Sequence, residues 1–289
     1  MLPAPLHHAM TNLIIDSHQH FWNLANPWCN WPTADEAAIH RDYHPKDILP
    51  HLEATGIDRT ILVQAAPDIH ETWAMLTLAE HTDFIAGVIG WVNFEDGNQS
   101  IKDIDQLSVS PYLVGIRPML QSKAQTDWIL QPKFIPLLNA LAKRGLVFDA
   151  LIQPRHLPTI KLLALRHPDL KIVINHGAKP DIATRDFHPW ADSLLEVAQF
   201  ANVSCKLSGL LTEARTNDGP EVIKKYSDAM INAFGPKRIL WGSDWPVVEL
   251  NGNYTGWHDM CRLFLALLSP TDRDAIFGGN AANLYNLAL

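Results

Sequence analysis

The stretch Ile14-Ile15-Asp16-Ser17-His18-Gln19-His20 opens on β-branched apolar residues and closes on two histidines two positions apart. A strand of this kind is buried on both faces, as in a parallel sheet, and its alternation points both imidazoles to the same side. The run Leu13 to Asp16 is the first of eight. The others are Thr60 to Gln64, Ala86 to Val92, Leu113 to Arg117, Leu146 to Ile152, Lys171 to Asn175, Asn202 to Leu207 and Arg238 to Gly242. Between them lie stretches with apolar residues three and four apart, among them Pro132 to Arg144, Pro158 to Arg166, Trp190 to Phe200 and Glu221 to Phe234. Gly56 and Gly145 stand where helices should stop, and Pro189 and Pro220 where first turns should begin. Strand alternating with helix through eight units predicts a distorted (β/α)8 barrel of TIM type, with Gly256 to Leu289 adding helices at the C-terminal end. An open doubly wound sheet is the competing fold, but the glycine-rich dinucleotide fingerprint is missing after the first strand.

No proline- or glycine-rich linker divides the 289 residues, so a single barrel over 13–289 is expected behind an N-terminal extension, residues 1–12. Thirty-one acidic against 23 basic residues give a net charge of −8, and no lysine- or arginine-rich run could release counterions, which excludes nucleic acid as a partner. Cys29, Cys205 and Cys261 are odd in number and far apart, which argues against a disulfide framework or a cysteine zinc site and suits a reducing cytoplasm. The first ten residues lack a cationic start followed by an apolar stretch, and no run approaches the ~20 apolar residues of a membrane span. A cytoplasmic protein without membrane contact is therefore expected. The connection Phe21 to Tyr43 is long and gathers Trp22, Pro27, Trp28, Trp31 and Pro32, so it either covers the barrel end as a satellite cluster or walls a substrate site.

In a barrel, side chains at the carboxyl ends of several strands converge on one mouth. His18 and His20 sit at such an end. Two further exits carry ionisable residues, Ile172-Val173-Ile174-Asn175-His176-Gly177 and Ile239-Leu240-Trp241-Gly242-Ser243-Asp244-Trp245-Pro246. Singly, each reads best as a rim residue that caps or hydrogen-bonds its surroundings. Together, three histidines and an aspartate at three strand exits are more simply a site that activates water.

The same residues carry a resemblance. His18-x-His20, His176-Gly177 and Gly242-Ser243-Asp244-Trp245-Pro246 resemble the amidohydrolase superfamily, specifically its sugar-lactonase branch of L-fuconolactonase and L-rhamnonolactonase type. His18-Gln19-His20-Phe21-Trp22, Leu62-Val63-Gln64-Ala65, Gly90-Trp91-Val92, Gly115-Ile116-Arg117, Pro154-Arg155-His156-Leu157-Pro158 and Lys206-Leu207-Ser208-Gly209 extend it along nearly the whole chain. The resemblance implies hydrolysis of a cyclic ester, an aldono-1,4- or 1,5-lactone such as L-fucono- or L-rhamnonolactone. Asp244 would take a proton from the attacking water and return it to the leaving alkoxide. His18, His20 and His176 would polarise the carbonyl or hold the water, as protonated imidazoles or through a metal.

Superfamily metal centres use the first-strand histidines, the last-strand aspartate and a ligand from the fourth or fifth strand. Here the fifth strand leads to Gln153 and the fourth ends at Arg117, which argues against a binuclear centre. One divalent ion, zinc, held by His18, His20 and Asp244 with His176 alongside, is compatible with the sequence, and so is hydrolysis without metal. Gln64, Trp91, Arg117, Lys206 and Trp245 are the candidates to hold a polyhydroxylated lactone. For Arg117 and Lys206 the competing role is an internal ion pair within the barrel. Amide hydrolysis, metal-dependent decarboxylation and a non-catalytic barrel that binds a sugar acid are the rival functions. Assembly as a homo-oligomer is left open.

Overall fold

Apolar residues on both faces let a strand pack inward and outward at once, and the barrel uses both. The computed structural model describes residues 13–287, so the extension expected over 1–12 lies outside the described residues. Strands β1 (Ile15–Gln19), β2 (Arg59–Val63), β3 (Ile85–Gly90), β4 (Leu113–Ile116), β5 (Val147–Ala150), β6 (Ile172–Ile174), β7 (Val203–Leu207) and β8 (Ile239–Trp241) follow one another in sequence order, each parallel to the next. The seam between β1 and β8 closes just beyond the strands. There the His20 amide donates to the Trp245 carbonyl and the Asp244 amide to the His18 carbonyl, both at 2.8 Å. The bonds that close the barrel thus run through the stretch holding the histidine pair and the aspartate.

Helices α1 (Pro45–Thr55), α2 (Ile69–Glu80), α3 (Asn98–Leu107), α4 (Ile135–Lys143), α5 (Leu157–Arg166), α6 (His188–Val197) and α7 (Pro220–Phe234) connect the strands. Pro189 and Pro220 lie in first turns, and Gly56 ends α1 in the left-handed conformation that glycine adopts most cheaply. After β8 come α8 (Tyr254–Phe264), α9 (Pro270–Asp274) and α10 (Asn280–Tyr285). The (β/α)8 barrel with added C-terminal helices is therefore the observed fold.

Two clusters divide the core. Leu62, Val88, Phe148, Ile174, Cys205 and Trp241 pack outward under helix residues such as Met75, Leu141, Leu194 and Trp257. Ile15, Ile61, Val63, Ile89, Val147, Val173 and Leu240 fill the barrel's lower interior, into which α10 inserts Ala281 and Tyr285. Burying each large aliphatic side chain contributes roughly 1.5–3 kcal/mol. Cys29, Cys205 and Cys261 are free thiols. Among the described residues no helix is long and apolar enough to cross a membrane.

The long first connection packs over the barrel end and also reaches the cavity at its mouth. Trp22 forms a bridge with Tyr43 and is buried, with Trp31 edge-on against it. Trp31 and Asn30 then face the cavity at the barrel mouth, whereas Trp28 lies flat on His70 at 6.1 Å, away from it.

Candidate active site

On a regular strand, positions three apart face opposite ways. The pairing of β1 with β2 shifts register between Asp16 and Gln19, and this lets both Ile15 and His18 face the barrel interior. Asp16 turns to the seam instead, where it accepts from the Ser243 amide (2.8 Å) and the Tyr254 hydroxyl (3.0 Å). Burial pushes its pKa up to about 6 against those hydrogen bonds.

His20 donates from Nδ1 to the Val63 carbonyl at 2.7 Å, because a carbonyl only accepts, so its Nε2 lone pair faces the cavity. His18 is fixed from below. Lys206 Nζ lies 3.1 Å from His18 Nδ1 and 2.7 Å from Asp149 Oδ2, and an ammonium only donates. The proton of a neutral His18 therefore sits on Nε2, which points at His20 Nε2 at 3.2 Å. Lys206 is the source of two donations, one to Asp149 and one that runs on through His18 and His20 to the Val63 carbonyl.

After β6 the backbone enters the left-handed region for four residues in succession, with φ of 52° at His176, 58° at Gly177, 66° at Ala178 and 52° at Lys179. Each non-glycine residue there costs roughly 1–2 kcal/mol. The turn aims His176 into the mouth, where its Nδ1 meets Ser208 Oγ at 2.9 Å. Gly209 makes room for that ring, since a Cβ at this position would stand 2.5 Å from His176 Nδ1. Gly242 does the same for β1, where a Cβ would approach His18 Cβ to 2.8 Å. Asp244 also takes a positive φ, 58°, and its Oδ1 lies 3.5 Å from His18 Nε2, 3.5 Å from His20 Nε2 and 3.8 Å from His176 Nε2.

Burial holds all three imidazoles below their ordinary range, with Lys206 adding to the effect at His18, and pushes His176 down to about 3. These shifts favour neutral over protonated imidazoles, because fixed cations already occupy the site and a desolvated imidazolium beside them is unfavourable. Burial acts to raise the Asp244 carboxyl, but His176, His20 and Lys179 outweigh it and hold the group below the usual carboxylate range. The carboxylate facing the cavity is thus Asp244, with the Arg117 guanidinium as a cation beside it. Its Nη1 lies 3.5 Å from His18 Nε2 and 3.5 Å from Asn175 Oδ1, and its Nη2 donates to the Gln64 carbonyl.

These groups open onto a cavity of about 330 Å³ whose lining includes Trp31, Arg117, His20, His176, Lys179 and Asp244. Of the five proposed substrate contacts, Arg117 lines it and the other four lie elsewhere. Gln64 is buried beside it, its side-chain nitrogen donating to the Arg117 carbonyl at 3.1 Å. Trp91, just past β3, is anchored through its backbone to the Thr72 hydroxyl. Trp245 follows the inward Asp244 and so points outward, packed on Tyr43 with its Nε1 donating to Glu249 at 2.8 Å. Lys206 is fully buried in the ion pair with Asp149, the competing role named for it from sequence. Gln153 is exposed and bonded to Arg155, so the β5 exit offers no ligand.

Three contributors escaped the sequence reading. Asp149 left a trace, a lone carboxylate inside the apolar strand Val147-Phe148-Asp149-Ala150. Glu71, on α2, accepts from the Ala65 and Ala66 amides and so fixes the cavity wall after β2; burial pushes its pKa up to about 7. Lys179 left no trace, because only the left-handed turn brings it to the mouth. For a metal, ligand atoms of His18, His176 and Asp244 lie within 4.8 Å of one another, a spacing and donor set that fit a divalent ion.

With fold and site in hand, comparison with known proteins is direct. The amidohydrolase family model matches residues 15–287, and the chain belongs to that family. An L-fucono-1,5-lactonase of Burkholderia ambifaria is 42% identical over 277 residues, covering 94% of this chain and 95% of the relative. Crystal structures of an amidohydrolase from Burkholderia multivorans, 33% identical, superpose with a TM-score of 0.89 with HEPES bound and 0.87 with zinc bound, each covering 95% of this chain and 99% of the other.

Proposed function

We propose that the protein hydrolyses a sugar lactone, an aldono-1,5- or 1,4-lactone of the L-fucono or L-rhamnono type. The observation that carries this reading is the Asp244 carboxylate, its Oδ1 3.5, 3.5 and 3.8 Å from Nε2 of His18, His20 and His176, facing a cavity that Arg117 also lines. The likeness to the B. ambifaria lactonase supports the substrate class.

In this reading Asp244 takes a proton from water as the water oxygen attacks the ring carbonyl carbon. The carbonyl electron pair moves onto oxygen, and the oxyanion is met by the Arg117 guanidinium, which lines the cavity. Collapse breaks the bond from carbonyl carbon to ring oxygen, and the proton on Asp244 passes to the departing alkoxide. The open hydroxy acid results. His20 and His176, neutral and with Nε2 toward Asp244, orient the water without competing for its proton.

A divalent ion, zinc by ligand type, would be held by His18, His176 and Asp244 with His20 adjoining, and when bound it supplies Lewis-acid polarisation of the ester and acidified water. Lys206 bears on this binding: His18 Nε2 would serve as a ligand with the ring proton on Nδ1, where Lys206 Nζ would have to accept it in its neutral form, having released a proton to solvent.

The test is acid release from a panel of aldonolactones. Turnover on at least one sugar lactone is expected, with Asp244→Asn lowering kcat by at least about 10³-fold while the fold persists. Measurable binding of lactones with no acid release across the panel would overturn the reading in favour of a non-catalytic barrel.

A further inference from the structure

We infer that Lys179 grips the hydroxyl-bearing edge of the substrate ring and so sets a preference for sugar lactones over unadorned ones. The inference rests on the lactonase reading and adds a residue that neither the motifs nor the hydrolytic steps require.

Among the described residues, Lys179 and Arg117 are the two cations lining the cavity. They differ in how they are tied. Arg117 is 3% exposed and committed to the Gln64 carbonyl and the Asn175 side chain. The Lys179 side chain is 29% exposed, and Glu213 Oε1 stands 3.7 Å from its Nζ, too far for a direct hydrogen bond, so that a hydroxyl beside the pair can meet both. An ammonium beside a carboxylate is a complete grip for a polyol, because the first donates to one hydroxyl oxygen and the second accepts from a hydroxyl hydrogen.

The backbone adds an independent argument. The Lys179 amide donates to the His176 carbonyl at 2.8 Å, closing the left-handed turn so that His176 and Lys179 both reach the cavity. At φ 52° and ψ 64° the residue sits where glycine is least strained, yet a lysine occupies it. Strain of this kind at a cavity wall points to a side chain whose position is used.

The experiment compares kcat and KM for a preferred aldono-1,5-lactone and for δ-valerolactone, the same ring ester without hydroxyls, in the wild type, Lys179→Met, Lys179→Gly and Lys179→Arg. If the bare ring turns over too slowly, its inhibition constant against the sugar lactone takes the place of KM. Measured well above the Asp244 carboxyl's range, where loss of the Lys179 charge leaves that group ionised, removal of the ammonium should lower kcat/KM on the sugar lactone by about tenfold to a hundredfold more than on δ-valerolactone, chiefly through KM. Arginine should restore part of the loss, and Lys179→Gly should unfold at a temperature no lower than the wild type. Equal losses on both rings, or none on the sugar lactone, would overturn the inference while leaving lactone hydrolysis intact. A wild type that opens neither ring overturns the lactonase reading, and this inference with it.

Discussion

The lower and upper halves of the barrel interior are built from the same strands, two positions apart. On β5 the inward residue changes from Val147 to Asp149, and after β6 from Val173 to Asn175. Below, contacts between aliphatic side chains do the holding, and each is nearly independent of the rest. Above, Asp149, Lys206, His18, His20, Arg117 and Asp244 are joined by charge and by directed hydrogen bonds, so none is replaceable alone. Period two is common to both halves. The contrast lies in what a single truncation leaves behind: below, a cavity; above, an unpaired buried charge.

Removing one partner of the buried pair is the strongest way to probe that contrast. Lys206→Met leaves the Asp149 carboxylate with only the Asn175 side chain, and should cost about 3–5 kcal/mol of unfolding free energy in urea titrations. Replacing both partners, Asp149→Leu with Lys206→Met, should recover most of that stability but not the turnover, because His18 Nδ1 then lacks the donor that sets its tautomer. A single variant as stable as the wild type would mean that the pair is not sealed from water. In the lower half, Leu240→Ala removes a 1%-exposed side chain and should cost about 3 kcal/mol, with kcat per folded molecule unchanged. A fall in kcat there would show that packing strain travels upward, and the two halves would no longer be separable.

Legibility follows the same division. The lower half was readable because β-branched runs announce buried strands, and eight such runs with helical stretches between them admit few architectures. The His18 and His20 spacing and the exits at His176 and Asp244 were readable because strand ends are where a barrel gathers side chains. What escaped depends on contacts across the barrel or on rare backbone. The pairing of Lys206 on β7 with Asp149 on β5 skips a strand and leaves no local pattern. The turn from His176 to Lys179 places non-glycine residues at positive φ, which no propensity predicts, and Trp245 points away from its neighbour Asp244 because successive residues alternate. The neutrality of the imidazoles depends on how many cations share their burial, a fact that appears only once the chain has closed.

Tyr285 stands at the border and gives the finest test. It reaches from α10 into the lower interior, with Lys206 Nζ 6.0 Å from its ring centroid. Among the described residues its hydroxyl is buried without a hydrogen-bond partner, and burial, aided by the Asp149 charge, pushes its pKa well above the ordinary phenol range. An unsatisfied buried hydroxyl costs roughly 1–3 kcal/mol, so Tyr285→Phe should leave stability unchanged or raise it by up to about 1 kcal/mol, with turnover unaffected. Thermal unfolding and steady-state rates measured side by side check this. A loss of about 1 kcal/mol or a slower kcat would make the hydroxyl a member of the charged network, and the boundary between packing and chemistry would then lie one layer lower, at α10 itself.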